Sequence, residues 1–162
     1  MNTMRKIWIT TIMAAAVLSG GMVSCSGDDD SSSVSDNSAT INSIVNTAGQ
    51  GTWHITSFID SGIDETDHFS GDSFTFGGNG VLTVTTPETF TGTWSVTDSN
   101  NSDDDSSHSD DIDFNILFTS APPAYSDLHD DWEVLEVTAT KIRLTDVSGG
   151  NGGTDFLTFE RN

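Results

Sequence analysis

Seven aspartates fall between Asp98 and Asp113, at 98, 103, 104, 105, 110, 111 and 113, with serine and asparagine between them. Clustered carboxylate and amide oxygens are the ligands that calcium takes, and extracellular sites work at roughly 10⁻⁴–10⁻³ M. Asp98, Asp103 and Asp105 are the candidate ligands. The run lacks the glycine and the closing glutamate of an EF-hand loop, so it reads as a solvated acidic loop with calcium as a weak alternative. His54, His68, His108 and His129 show no ligand spacing such as H-x₃₋₅-H or H-E-x-x-H. There is no G-x-S-x-G, no P-loop and no Cys–His pairing, and nothing marks Asp127, Asp130, Asp131 or Glu133 as an acid of raised pKa. The chain carries no catalytic constellation and no cofactor motif, and an enzyme is not expected.

The remaining reactive side chain is Cys25, the only cysteine. Ahead of it stand Arg5-Lys6, an apolar run from Ile7 to Leu18, and small residues ending Gly20-Gly21-Met22-Val23-Ser24. A basic start, an apolar stretch of about a dozen residues and a small-residue exit make a secretory signal over residues 1–24. The stretch is shorter than the roughly 20 apolar residues that a membrane-spanning helix requires. Leu18 to Cys25 resembles the lipobox of bacterial lipoproteins, whose signal is cut before a cysteine that is then lipidated. That resemblance implies a membrane partner, reached through acyl chains on Cys25, since several chains together anchor stably where one does not. Ser26-Gly27-Asp28-Asp29-Asp30 is similar to the surface-export signal of the same bacteria. The expected address is the bacterial outer membrane, exposed on the cell surface.

After the signal, only Lys141, Arg143 and Arg161 oppose 25 carboxylates, a formal charge of −22. Such a field repels phosphate backbones and excludes nucleic acid as a partner. With no second cysteine there is no disulfide, and the fold depends on its core. Residues 25–39 carry the anchor and a polar tether in which Val34 is the single large apolar residue. From residue 40 the composition changes, and 40–162 reads as one domain.

Ile41, Ile44, Val45 and Ala48 recur at helical spacing and predict a short amphipathic helix stopped near Gly49. Beyond it, runs rich in Thr, Val, Ile, Phe and Trp predict eight strands: 53–60, 73–76, 81–86, 90–97, 112–119, 132–137, 141–146 and 156–160. Asn79-Gly80 supplies a tight hairpin turn, and Pro122-Pro123 with Tyr125 and Leu128 predicts a helical turn. Phe74 and Phe76; Leu82 and Val84; Phe90, Trp94 and Val96; Ile112, Phe114, Ile116 and Phe118 alternate with threonine, serine, aspartate and asparagine. One dry and one wet face per strand predicts an all-β fold, an eight-stranded antiparallel up-and-down barrel closed on itself.

Gly51-Thr52-Trp53 after a short helix resembles the Gly-x-Trp signature that opens the lipocalin barrel, and Gly92-Thr93-Trp94 is a second copy. With Phe74-Thr75-Phe76-Gly77-Gly78-Asn79-Gly80 and Phe156-Leu157-Thr158-Phe159-Glu160-Arg161-Asn162, residues 41–162 are similar to lipocalin-like lipoproteins of Bacteroidetes-type bacteria. In lipocalins an arginine from near the C-terminus covers the signature tryptophan, a place that Arg143 or Arg161 would fill here. The resemblance implies a small apolar molecule bound within the barrel, faced by Trp53, Phe74, Phe76, Trp94, Phe114 and Trp132.

So many large rings in one small barrel also fit a packed interior, since eight strands enclose room for side chains or for one small ligand. Two functions therefore stand open: a carrier of a small apolar molecule, and a surface interaction or structural protein with a solid core. An internal void of roughly 300 Å³ or more would favour the first.

Overall fold

The computed structural model describes residues 37–99, 112–147 and 153–161. The signal, Cys25 and the tether as far as residue 36 lie outside the described residues, as do Asp103 and Asp105.

Helix α1 (Ser38–Ala48) starts two residues ahead of the expected boundary. Ile41 N–H already closes on Asn37 O at 2.8 Å, which brings Ser38 and Ala39 into the first turn. The helix stops where Gly49 N–H bonds Val45 O at 3.0 Å, and it buries Ile44 and Ala48. Among the described residues nine strands follow: β1 (His54–Asp60), β2 (Ile63–Asp64), β3 (Ser73–Phe76), β4 (Val81–Thr85), β5 (Thr89–Asp98), β6 (Ile112–Leu117), β7 (Asp130–Val137), β8 (Lys141–Val147) and β9 (Thr154–Glu160). All pair antiparallel in one sheet ordered β2-β1-β9-β8-β7-β6-β5-β4-β3. Two 3₁₀ turns interrupt the strand succession, Thr66–Phe69 and Pro123–Leu128.

The all-β class and the short helix agree with the expectation; the closed eight-stranded barrel does not. β2 and β3 are the two edges of the sheet, and no ladder joins them. The cause lies in β1. After Asp60 the chain turns through Ser61 (φ 47°) and Gly62 (φ 87°), and β2 folds back to pair Ile59 with Asp64 and Asp60 with Ile63. β2 thus takes the hydrogen-bonding edge of the distal half of β1. β3 meets only the residue ahead of β1, in an isolated antiparallel bridge between Trp53 and Phe74.

Register places each predicted dry face on the inside. Ile55, Phe159 and Ile142 lie opposite one another, as do Phe58, Leu157 and Leu144. Phe74 faces Val84, and Trp94 faces Ile116. All join one buried cluster, in which Trp53, Phe74, Phe114 and Phe159 are fully excluded from water. Each such ring contributes about 1.5–3 kcal/mol by its burial, so this interior is the main source of stability.

The two copies of Gly-Thr-Trp use glycine for different reasons. Gly51 sits at φ +80°, a left-handed conformation that side chains rarely adopt. Gly92 has ordinary dihedrals, but a methyl group there would stand 2.5 Å from Leu117 O and 2.6 Å from the Phe118 ring. The first glycine turns the chain into β1, and the second lets β5 and β6 approach.

Candidate functional site

Trp53 is the point where helix, sheet and C-terminus meet. Its indole N–H donates to Ala48 O at 2.8 Å, which pins the last turn of α1 to the sheet. Its backbone N–H and C=O each bond Phe74 at 2.8 Å. The Arg161 guanidinium covers the indole face, 5.0 Å from the ring centroid. Arg161 also donates from Nε to Ala139 O at 2.6 Å and from Nη1 to Gln50 O. Of the two arginines that the sequence offers, Arg161 therefore takes this position. Arg143 points instead to Glu136, 3.7 Å away on the exposed face.

The other two described tryptophans tie the sheet to its coverings in the same manner. Trp94 Nε1 donates to Gly77 O in the β3–β4 hairpin at 2.9 Å, and Trp132 Nε1 donates to Leu128 O at 3.1 Å. Trp94 stacks on Phe114, with centroids 5.5 Å apart and planes at 27°. Phe76 stands edge-on to Trp94, Phe114 and Phe159 at 5.1–5.4 Å, and Phe74 meets Phe159 at 5.4 Å. Such edge-to-face contacts add about 0.5–1.5 kcal/mol each beyond area. The six expected ligand-facing residues are thus brought together: Trp53 bridges Phe74, while Phe76, Trp94 and Phe114 share ring contacts. Trp132 lies directly opposite Phe114 across the β6–β7 ladder and also meets Phe58 at 6.3 Å, so it links this group to the second group of rings.

That opposite end carries what spacing in the sequence did not reveal. Phe58 packs on Phe69 at 5.5 Å, and Phe69 packs on Tyr125 at 5.4 Å. Tyr125 also faces Phe90 at 4.5 Å and Phe118 at 5.8 Å. Its hydroxyl donates to the carboxylate of Asp72, a side chain only 7% exposed. Burial first, then the hydrogen bond to Asp72 and the charge of that carboxylate, pushes the Tyr125 phenol well above its ordinary range. Asp72 and Tyr125 lie 53 positions apart, so no local motif announces the pair.

At the rim of this end stands Asp130, at the start of β7. Burial, then the hydrogen bond with Asp131 and the charge of Asp146, pushes its carboxyl up to about 6. Spacing in the sequence does not mark this acid, because its burial, the largest cause, and the smaller contribution of Asp146 both arise only in the folded sheet. Asp130 and Asp131 line an open cleft of about 380 Å³ with Asn115, Leu117 and His129. A second cleft, about 400 Å³, runs between α1 and β7 past Ile44, Leu135, Val137 and Ala139. A third, about 360 Å³, crosses Thr93, Ser95, Thr97 and Asn115 on the outer face of β5 and β6.

Among the described residues no group of three His, Cys, Asp or Glu side chains is arranged to hold a metal ion. Asp98, the calcium candidate within them, accepts a hydrogen bond from Asn37 Nδ2 at 3.2 Å and so joins β5 to the start of α1. The geometry offers a ring-filled interior, a buried phenol–carboxylate pair and open clefts on the outside. No protein-family model, no curated protein and no solved structure matches this chain.

Proposed function

We propose that this chain is a lipoprotein of the bacterial outer membrane, anchored through Cys25 and displayed on the cell surface. Its β domain works as an interaction module through its outer face and performs no chemistry. The observation that carries this reading is the interior itself. Trp53, Phe58, Phe69, Phe74, Phe76, Phe114, Trp132 and Phe159 are all buried to within 1% of completely, and all but Trp53 pack ring against ring. The clefts large enough to seat another molecule open outward.

The carrier reading keeps one specific support. Arg161 over Trp53, together with the Trp53–Phe74 bridge, has the form expected of a lipocalin-like barrel whose seam is closed at one end. In that finer reading the sheet behaves as a barrel, and a small apolar molecule lies among the rings.

Cells expressing the wild-type chain and a Cys25→Ser variant, fed labelled palmitate and shaved with protease while intact, test the anchor and the address. The wild type is expected to take label and to be cut on whole cells, and the variant to take none. An unlabelled wild type, or one cut only after lysis, would overturn the reading. A fluorescent fatty-acid probe that bound the purified domain at micromolar concentration would turn the choice to the carrier.

A further inference from the structure

Phe156 is 40% exposed and Val147 66% exposed, in a domain that buries most of its large apolar side chains. Phe156 pairs with Ile59 on one side and with Thr145 on the other, and Val147 pairs with Thr154. The alternate residues Phe58, Leu157 and Leu144 are buried, so Ile59, Phe156 and Val147 share the outer face. Ile59 lies directly opposite Phe156 and Val147 on its diagonal, within the roughly 5–8 Å over which cross-strand side chains meet. Thr145 between them adds no free hydroxyl, since its Oγ1 donates to Asp155 O at 2.9 Å. The three side chains form one apolar band over β1, β9 and β8, about 10 Å wide at the usual strand spacing. A contiguous band of this kind, unlike a lone exposed leucine, marks an interaction surface.

Carboxylates border the band on both flanking strands. On β2, Asp64 pairs with Ile59; on β7, Glu133 pairs with Thr145, and Asp131 stands two residues along on the same face. All three are exposed. Hydrogen bonds from the Thr66 hydroxyl and N–H hold the Asp64 carboxyl below the ordinary range, so it stays charged. Lys141 and Arg143 lie on the same face of β8 but nearer the Trp53 end. Each already meets a carboxylate, Glu160 at 2.8 Å and Glu136 at 3.7 Å. From β2 to β7 the face crosses four strand gaps, about 19 Å. We propose that it docks an extended basic segment of another protein, apolar at its centre and cationic on both flanks. The centre lies on Ile59, Phe156 and Val147, and the flanks meet Asp64 on one side and Asp131 and Glu133 on the other. At about 3.3 Å per residue, some six residues span the two carboxylate borders. A second copy on this face would set the same carboxylates against one another, and they repel an anionic lipid surface. The inference rests on the surface-module reading and names the chemistry of its partner.

The test titrates a fluorescein-labelled peptide, Arg-Arg-Leu-Phe-Leu-Arg-Arg, against the whole chain in phosphatidylcholine nanodiscs, or free in buffer if it carries no anchor. Anisotropy is expected to give a Kd of about 10–100 μM at low salt. Binding should weaken at least about tenfold for Arg-Arg-Ser-Ser-Ser-Arg-Arg and for Glu-Glu-Leu-Phe-Leu-Glu-Glu, which lack the apolar centre and the cations in turn. Phe156→Ser with Val147→Ser should cost about tenfold, and so should Asp64→Asn with Glu133→Gln. Removing two exposed carboxylates elsewhere, Glu88→Gln with Asp127→Asn, should change the Kd less than about twofold. An equal loss in that control pair would reduce the effect to net charge and overturn the proposal. So would a peptide signal equal on empty nanodiscs, or binding that survives Phe156→Ser with Val147→Ser. Self-association of the chain that those two substitutions abolish would give the face to a second copy and overturn it too. Labelling of Cys25 is read separately, so failure of the anchor and failure of this docking are told apart.

Discussion

Trp53 and Phe74 exchange both of their backbone hydrogen bonds, each at 2.8 Å, across a gap that no ladder spans. β1, which Trp53 precedes, and β3, which holds Phe74, are otherwise separated, since β2 occupies the edge of β1 further along. Everything that fixes Trp53 therefore also fixes this junction: Ala48 O beneath its indole N–H, and the Arg161 guanidinium over its face.

Arg161→Ala should loosen that junction selectively. The variant loses a cation–π contact of about 0.5–2 kcal/mol and two hydrogen bonds to main-chain carbonyls, each with a net contribution of about 1 kcal/mol. Chemical denaturation is expected to show a loss of about 1–3 kcal/mol, less than the plain sum because the guanidinium is in part exposed. Amide exchange at Trp53 and Phe74 should quicken more than at Leu144 or Leu157 in the centre of the sheet. Arg161→Lys keeps the charge but not the fork and should recover only part of the loss. Unchanged exchange at Phe74 in Arg161→Ala would detach the arginine from the junction.

Asp130 predicts a pH dependence of definite sign. Its carboxyl, raised to about 6 by burial, Asp131 and Asp146, is held more strongly in its protonated form by the folded chain than by the unfolded one. The stabilisation is complete below the ordinary carboxylate range near 4 and is lost as pH rises through about 6. At pH 7 the charged group costs on the order of 1 kcal/mol, discounted for its contact with water. Asp130→Asn should therefore gain that amount at pH 7 and almost nothing at pH 4, read from urea midpoints at the two values. An equal effect at both would mean that neither burial nor Asp146 acts on the titration.

Much of the fold was legible because alternation and turn chemistry agree. Phe74 and Phe76 against Thr75, then Asn79-Gly80, then Leu82 and Val84 against Thr83, place β3 and β4 on one hairpin with the correct face inward. The filling of the interior was legible from ring count alone. β2 was not, since two residues after Ser61-Gly62 carry no period to detect. Closure is not legible for a related reason. Alternation tells which face of β1 is dry, but not which neighbour takes its backbone hydrogen bonds, and β2 took those meant for β3. Arg161 and Arg143 were equal candidates until distance separated them. Asp72 stands between Gly71 and Ser73, with nothing in its neighbours to mark it for burial. Only the fold, by laying the 3₁₀ turn of Tyr125 over it, buries that carboxylate.

The same pair supplies the last prediction. Burial, and then Asp72, lifts the Tyr125 phenol well above its ordinary value of about 10, so the folded chain holds the phenolic proton where the unfolded chain releases it. Stability from this group is complete below about pH 10 and falls as pH rises beyond it, by up to about 1.4 kcal/mol per pH unit. With one tyrosine in the chain, phenolate absorbance reports Tyr125 alone. The native protein should show a flat trace through about pH 10–11, then a step coincident with the loss of β structure by circular dichroism. Tyr125→Phe should lose the alkaline slope but start lower, by about 1–3 kcal/mol, because Asp72 keeps its burial and loses its donor. Reversible ionisation near pH 10 with the sheet intact would put the hydroxyl in water and dissolve the link between Tyr125 and Asp72.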